Sequence, residues 1–198
     1  KDGIGKTEVA LRILKIDWVD LVGHGGRTNF SGNQFLLEIA QRDIAPDIAV
    51  EVDQDGQVII TFNGEIYNFK EIKKDLEKHQ SYNWQTTSDT EIILEAFATW
   101  GKQFVYKLNG MFTIAIYDNK NDVLWLFRDR IGIKPLYYFW DKETFVFASE
   151  LKSLTKIKEE LGGFSINKQA IHQFLRLGYI PTPNTIYKEV KKFPSASF

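Results

Sequence analysis

The 198 residues carry 25 Lys and Arg against 26 Asp and Glu, and this near balance offers no excess charge toward nucleic acid or an anionic membrane surface. A composition of 43% hydrophobic and 14% aromatic residues fits a globular chain with a substantial core, and the lack of cysteine excludes disulfides, thiolate metal sites and a Cys nucleophile among these residues. No apolar run approaches the roughly 20 residues of a membrane span, and Lys1-Asp2 leads into no signal-peptide core, so a cytoplasmic, unanchored protein is expected.

Gly3-Ile4-Gly5-Lys6-Thr7, ahead of the helix-compatible Glu8 to Leu14, has the ending of a phosphate-binding loop. The strand and the Gly that should precede Gly5 are missing, which disfavours nucleotide binding. Asp17 to Ile48 is irregular, with turn-forming clusters at Gly23 to Arg27 and Ser31 to Asn33, and Phe35 to Ala40 fits a short buried strand. His24 has no second His or acidic cluster at ligand spacing, so it reads as a loop residue and no metal site is expected.

Val50-Glu51-Val52 and Val58-Ile59-Ile60 read as a hairpin around Asp53 to Gly56, the second strand running to Phe62. Asn63-Gly64 then signals a sharp turn, because both residues tolerate positive φ. Two readings stay open there: a plain hairpin turn, or a loop whose Asn, bare amide and Glu65 carboxylate orient a polar substrate. Phe69 to His79 places Phe69, Ile72 and Leu76 at helical spacing. Ser88 and Glu91 fit a capping box with Asp89 in the first helical turn, where Asp89 either serves the macrodipole or faces a cleft.

Met111 to Tyr117 and Val123 to Phe127 read as paired strands, and Leu136 to Trp140 and Thr144 to Ala148 as a second hairpin around Asp141-Lys142. Between them Arg128-Asp129-Arg130 reads as a salt-bridged turn, an anion site being the alternative. Ser149 to Ile157 begins a helix with Ser149 as cap, and Ile166 to Leu177 is a further amphipathic helix with Ile171, Phe174 and Leu175 on its apolar side. Tyr179 to Asn184, with two prolines, reads as a connector toward a following domain that is not represented.

Four stretches, Asn63-Gly64-Glu65-Ile66-Tyr67-Asn68, Ser88-Asp89-Thr90-Glu91, Leu108-Asn109-Gly110-Met111-Phe112 and Arg128 to Tyr138, resemble in order and spacing the class II glutamine amidotransferase domain of asparagine synthetase-type enzymes. Ala148 to Lys152 and Tyr179 to Ile186 extend the likeness, which runs from Val58 to Phe193. Amidotransferases of sugar and purine synthesis share that fold but not the long Arg-Asp-Arg motif ending in Lys-Pro-Leu-Tyr-Tyr. The resemblance implies an α+β, four-layer αββα N-terminal-nucleophile sandwich of two antiparallel sheets. It also implies the division into a domain at 1–160, with 1–50 divergent, and a helix and connector at 161–198.

The implied chemistry is attack of an N-terminal Cys on the glutamine amide, hydrolysis of the thioester to glutamate, and passage of ammonia to a synthetase domain, in cis or in trans. On matching positions, Asn63 and the Gly64 amide would form the oxyanion hole, and Glu65 and Asp89 would hold the glutamine α-amino end. Arg42 would anchor its carboxylate through a loose match to an Arg-containing strand. Asp2, ahead of Gly3-Ile4, stands where the family has its Cys, and the Arg-Gly-Pro-Asp segment is not reproduced near His24 to Arg27. Glutamine is the expected ligand, with ATP and Mg needed only by the synthetase domain, no cofactor in this one, no nucleic acid or membrane partner, and homodimerisation left open. The alternatives are a non-catalytic scaffold, as in β-lactam synthetase-like proteins, and maturation exposing Thr7 or Ser31 as nucleophile.

Overall fold

The computed structural model describes residues 10–13, 50–52, 58–118, 120–121, 123–141 and 144–198, the first two segments as backbone alone. The sequence readings on Gly3 to Thr7, His24, Ser31, Phe35 to Ala40 and the turn Asp53 to Gly56 lie outside the described residues. Two antiparallel sheets and a set of helices make the chain α+β, the fold class expected. Cα packing divides the chain into two compact units, Lys1–Asp47 with Pro135–Pro194 and Ile48–Lys134 with Ser195–Phe198. Among the described residues no helix is long and apolar enough to cross a membrane.

One unit begins with the strands that follow β1 (Ala10–Ile13): β2 (Val50–Val52) and β3 (Val58–Ile66). Helices α1 (Phe69–Glu77) and α2 (Asp89–Trp100), the 3-10 helix Gly101–Lys107, β4 (Gly110–Asp118) and β5 (Val123–Arg128) complete it. Its sheet has the order β2-β3-β4-β5. β4 is central and is buried on both faces from Phe112 to Ile116, which is why its sequence is a continuous apolar run rather than an alternation. Ile72 and Leu76 of α1, one helical turn apart as their spacing requires, meet Ile92, Ile93, Leu94, Ala96 and Phe97 of α2 in one cluster. Phe104 is fully enclosed there, its ring edge-on to Phe97 at 5.8 Å and to Phe127 at 5.1 Å.

The turn after β5 is held by main-chain bonding. Asp129, 1% exposed, accepts the N–H groups of Ile131 (3.1 Å), Gly132 (2.6 Å), Ile133 (2.9 Å) and Lys134 (3.0 Å). Arg128 donates to Lys134 O (2.8 Å) and Gly132 O (2.9 Å), and Arg130 to Leu108 O (2.7 Å) and Tyr106 O (3.2 Å). The turn read from the sequence is present, and each charge in the triplet also finds backbone partners, which periodicity cannot foretell. Residues 195–198 belong to the same unit, Ala196 N–H donating to Asp129 O (2.9 Å) and Arg128 N–H to Ser197 O (3.1 Å).

The other unit holds β1, β6 (Tyr137–Trp140), β7 (Phe145–Ala148), α3 (Leu151–Lys156), α4 (Lys168–Leu177) and β8 (Val190–Lys192), with sheet order β1-β7-β6-β8. β1 falls in the stretch read as helix-compatible. Its four residues pair antiparallel with β7, and so short an apolar run does not distinguish helix from strand by pattern. Phe139, Val146, Ala148, Leu154, Leu161 and Val190 form the core. β8 follows the Tyr179 to Asn184 stretch, and its Val190 is part of that core, while buried Thr185 donates to Tyr187 O and Val190 O. α3 is capped at Glu150 rather than Ser149, without a side-chain cap bond. α4 is capped by Asn167, which accepts from Gln169 and Ala170 N–H, and ends at Gly178 with φ 77°. Only Ala170 of α4 is buried, and the apolar residues Phe174 and Leu175 are 53% and 79% exposed.

Two stability outcomes follow. Phe104→Ala is expected to cost about 3–5 kcal/mol, read from denaturant unfolding, because the enclosed ring leaves a cavity. For Asp129, burial alone would raise the pKa, but the amides of Ile133, Lys134, Gly132 and Ile131 outweigh it and hold the carboxyl below its ordinary 3.8. A depressed pKa stabilises the fold fully above the ordinary value and loses that contribution as the pH falls through the folded one. Asp129→Asn is therefore expected to destabilise by about 2–3 kcal/mol at pH 7. The deficit should shrink on acidification below about pH 4, which urea titrations at the two pH values would measure.

Candidate active site

Asn63-Gly64 makes no turn. β3 continues through both residues to Ile66, pairing Asn63 with Thr113, Gly64 with Phe112 and Glu65 with Met111. Gly64 is not among the positive-φ glycines; its value lies in proximity. A Cβ on Gly64 would stand 2.1 Å from Met111 O and 2.7 Å from Phe112 Cα, and one on Gly110 would stand 2.2 Å from Glu65 O. The sequence signal was a real glycine requirement, arising from close backbone approach rather than from chain reversal.

This pairing fixes where the candidate groups point. Phe112 O accepts from Asp129 N–H at 2.9 Å, and Phe112 N–H donates to Asp129 Oδ2 at 3.4 Å. Both main-chain groups of Phe112 are thereby turned from β3, so Gly64 and Phe112 are a non-hydrogen-bonded pair and the Gly64 N–H points away from β4. Ile66 has the same parity, and its N–H donates to Asp89 Oδ2 at 3.0 Å. The Gly64 amide and the Asp89 carboxylate consequently share one edge of β3. On the faces of the strand, Ile60 and Ile66 enter the helix-covered core, so by the period of two Asn63 and Glu65 share the opposite face. Asn63 is half-buried and Glu65 exposed.

Asp89 is the first residue of α2. Ser88 caps that helix as expected, its hydroxyl accepting from Thr90 N–H at 3.0 Å. Glu91 does not close the expected capping box. It reaches further back, to Gln85 N–H (2.7 Å), Thr86 N–H (2.8 Å) and the Thr86 hydroxyl (2.7 Å). Burial works against its charge, yet the bonds from Gln85 and Thr86 prevail and hold its pKa below the ordinary value. The segment leading into Asp89 is thus tied to the helix it precedes. Asp2 and Arg42 lie outside the described residues. The sequence reading gave no role to Asn68, whose partners lie about forty residues along the chain.

The family model described as a glutamine amidotransferase domain matches residues 49–198, most of the chain. The chain belongs to the glutamine amidotransferase domain family. Among similar proteins, a Methanocaldococcus jannaschii protein described as a glutamine-hydrolysing asparagine synthetase is 40% identical over 168 residues, which covers 79% of this chain and 32% of that protein. Glutamine-hydrolysing asparagine synthetases 1 and 2 of Bacillus subtilis are 36% identical over 156 residues and 46% over 103, covering 75% and 52% of this chain and 24% and 13% of theirs. The amidotransferase-like chain thus spans about a third or less of the length of these relatives.

Gly64→Ala should force β3 and β4 apart at the candidate oxyanion edge. Its expected signature is a destabilisation of about 1–3 kcal/mol in denaturant unfolding, since the clashing atoms are backbone and have nowhere to move.

Proposed function

We propose that this chain is the glutamine-binding domain of an asparagine synthetase-like enzyme, with its pocket at the C-terminal end of β3. What supports the reading is the shared edge of β3: a main-chain donor at Gly64 and a carboxylate at Asp89, with Asn63 and Glu65 together on one strand face. In this reading the Asn63 amide and Gly64 N–H stabilise the oxyanion formed when the glutamine amide is attacked. Glu65 and Asp89 hold the substrate's α-ammonium by charge-assisted bonds, and Arg42 takes its carboxylate. Ammonia released here is used by an ATP- and Mg-dependent synthetase domain, and this domain itself requires no cofactor. Division into 1–160 and 161–198, with the second part leading toward the synthetase, belongs to the same proposal.

Asp2 ahead of Gly3-Ile4 occupies the nucleophile's place, and a carboxylate is a poor substitute for a thiolate in acyl transfer. The chain should therefore bind glutamine while releasing little glutamate. Calorimetry with glutamine tests the first half: Asp89→Asn keeps an acceptor for the Ile66 N–H but removes the charge, and is expected to weaken binding by about 10- to 100-fold, as is Glu65→Gln. Glutamate release tests the second half. Asp2→Cys, correctly processed, should raise it well above the parent, and an intact fold without glutamate would refute the placement of the nucleophile. Asp2 at the nucleophile's place favours a second reading, a scaffold that supports a synthetase domain without catalysis. A pure scaffold predicts no glutamine heat in the parent.

A further inference from the structure

The end of the 3-10 helix and the two residues that follow it before β4 are gripped at four consecutive positions by two side chains from elsewhere in the unit. Arg130 donates to Leu108 O at 2.7 Å and to Tyr106 O at 3.2 Å. Asn68 takes the alternate positions, donating its Nδ2 to Lys107 O at 2.9 Å and accepting from Asn109 N–H at 2.8 Å. Asn109 O in turn receives the Tyr67 N–H at 2.8 Å, extending the β3–β4 pairing one step past Ile66.

Asn68 also stands at the N-cap of α1, where Asn is a favoured residue because its side chain can satisfy a free helical N–H. It makes no such cap bond, and the main-chain carbonyl of Asn68 alone starts the helix, accepting from Glu71 and Ile72. The amide side chain is committed instead to the segment that ends at Gly110. There, the backbone of Gly110 lies so close to Glu65 O that a Cβ would stand 2.2 Å from it.

We infer that Asn68 and Arg130 are positioning residues for the glutamine pocket: by fixing Tyr106 to Asn109 they keep Gly110 seated on Glu65, and so keep the end of β3 in register. Neither touches the substrate groups proposed above. The inference rests on the proposed function for its link to glutamine, but its structural half can be read without ligand. The Ile66 amide, bonded to Asp89 and not to either clamp side chain, reports whether the effect travels.

The test is amide hydrogen exchange on the whole chain with Asn68→Ala and Arg130→Lys, paired with glutamine calorimetry. Ile116, in the middle of β4 and fully buried, serves as the reference for global opening. Losing one or two hydrogen bonds should speed Ile66 exchange by roughly tenfold relative to Ile116 and weaken glutamine binding by a similar factor. An unchanged Ile66-to-Ile116 ratio in both variants overturns the inference, as does local loosening that leaves glutamine affinity intact. If the parent binds no glutamine, the proposed function fails, and the exchange ratio still decides the clamp. Global loosening of both amides together marks a merely structural role and also overturns it.

Discussion

The pairing of β3 with β4 along nine residues, from Val58 to Ile66, is the constraint on which the candidate site depends. Without it Asn63 and Glu65 would not share a strand face, and the Gly64 amide would not be turned to the edge where Asp89 sits. The pairing is costly to build at its far end, since two glycines forgo side-chain burial and lose more chain entropy than other residues. The compensation is geometric. A strand fixed on both sides of the critical residues presents donors in set directions before any ligand arrives, which is what stabilisation of a developing oxyanion demands.

That constraint is anchored by groups that spend their charge on backbone. Asp129 collects four amides of the turn that follows β5 and also meets both main-chain groups of Phe112, the residue opposite Gly64. One buried residue therefore holds the turn through its carboxylate and, with its main-chain N–H, the parity of the adjacent ladder. Glu91 acts comparably from the first turn of α2, fastening Gln85 and Thr86 in the segment that leads into Asp89. In each case desolvation opposes the charge and a set of aligned N–H groups outweighs it, so the local geometry is rigid at the expense of tolerance to acid.

The strands of β3 to β7 and the helical faces carrying Ile72 and Leu76 were legible in the sequence because periodicity and apolar runs report burial directly. The family resemblance named Asn63, Gly64, Glu65 and Asp89 as a candidate set, and the structure brings Gly64 and Asp89 to one edge. The Asn63-Gly64 turn misled because local dipeptide preference cannot see a partner strand: Met111 and Phe112 lie almost fifty residues away. The same blindness to sequence distance hid the carbonyl partners of Arg130, the backward reach of Glu91 and the commitment of Asn68. Exposure of Phe174 and Leu175 on α4 was equally invisible, since an apolar stripe states that a helix has a face to cover and not whether this chain covers it.

The split of one unit around the other bears on how the chain reaches this state. The β4–β5 hairpin joins strands only a few residues apart, so its loop closes at little entropic cost and its contacts can accumulate early. β1 must wait: Ile13 finds Phe145 only after every residue of the other sheet has been passed over. On a chain made from its N-terminus, β1 is thus made long before its partner β7, and its unpaired edge is open to misassociation in the interval.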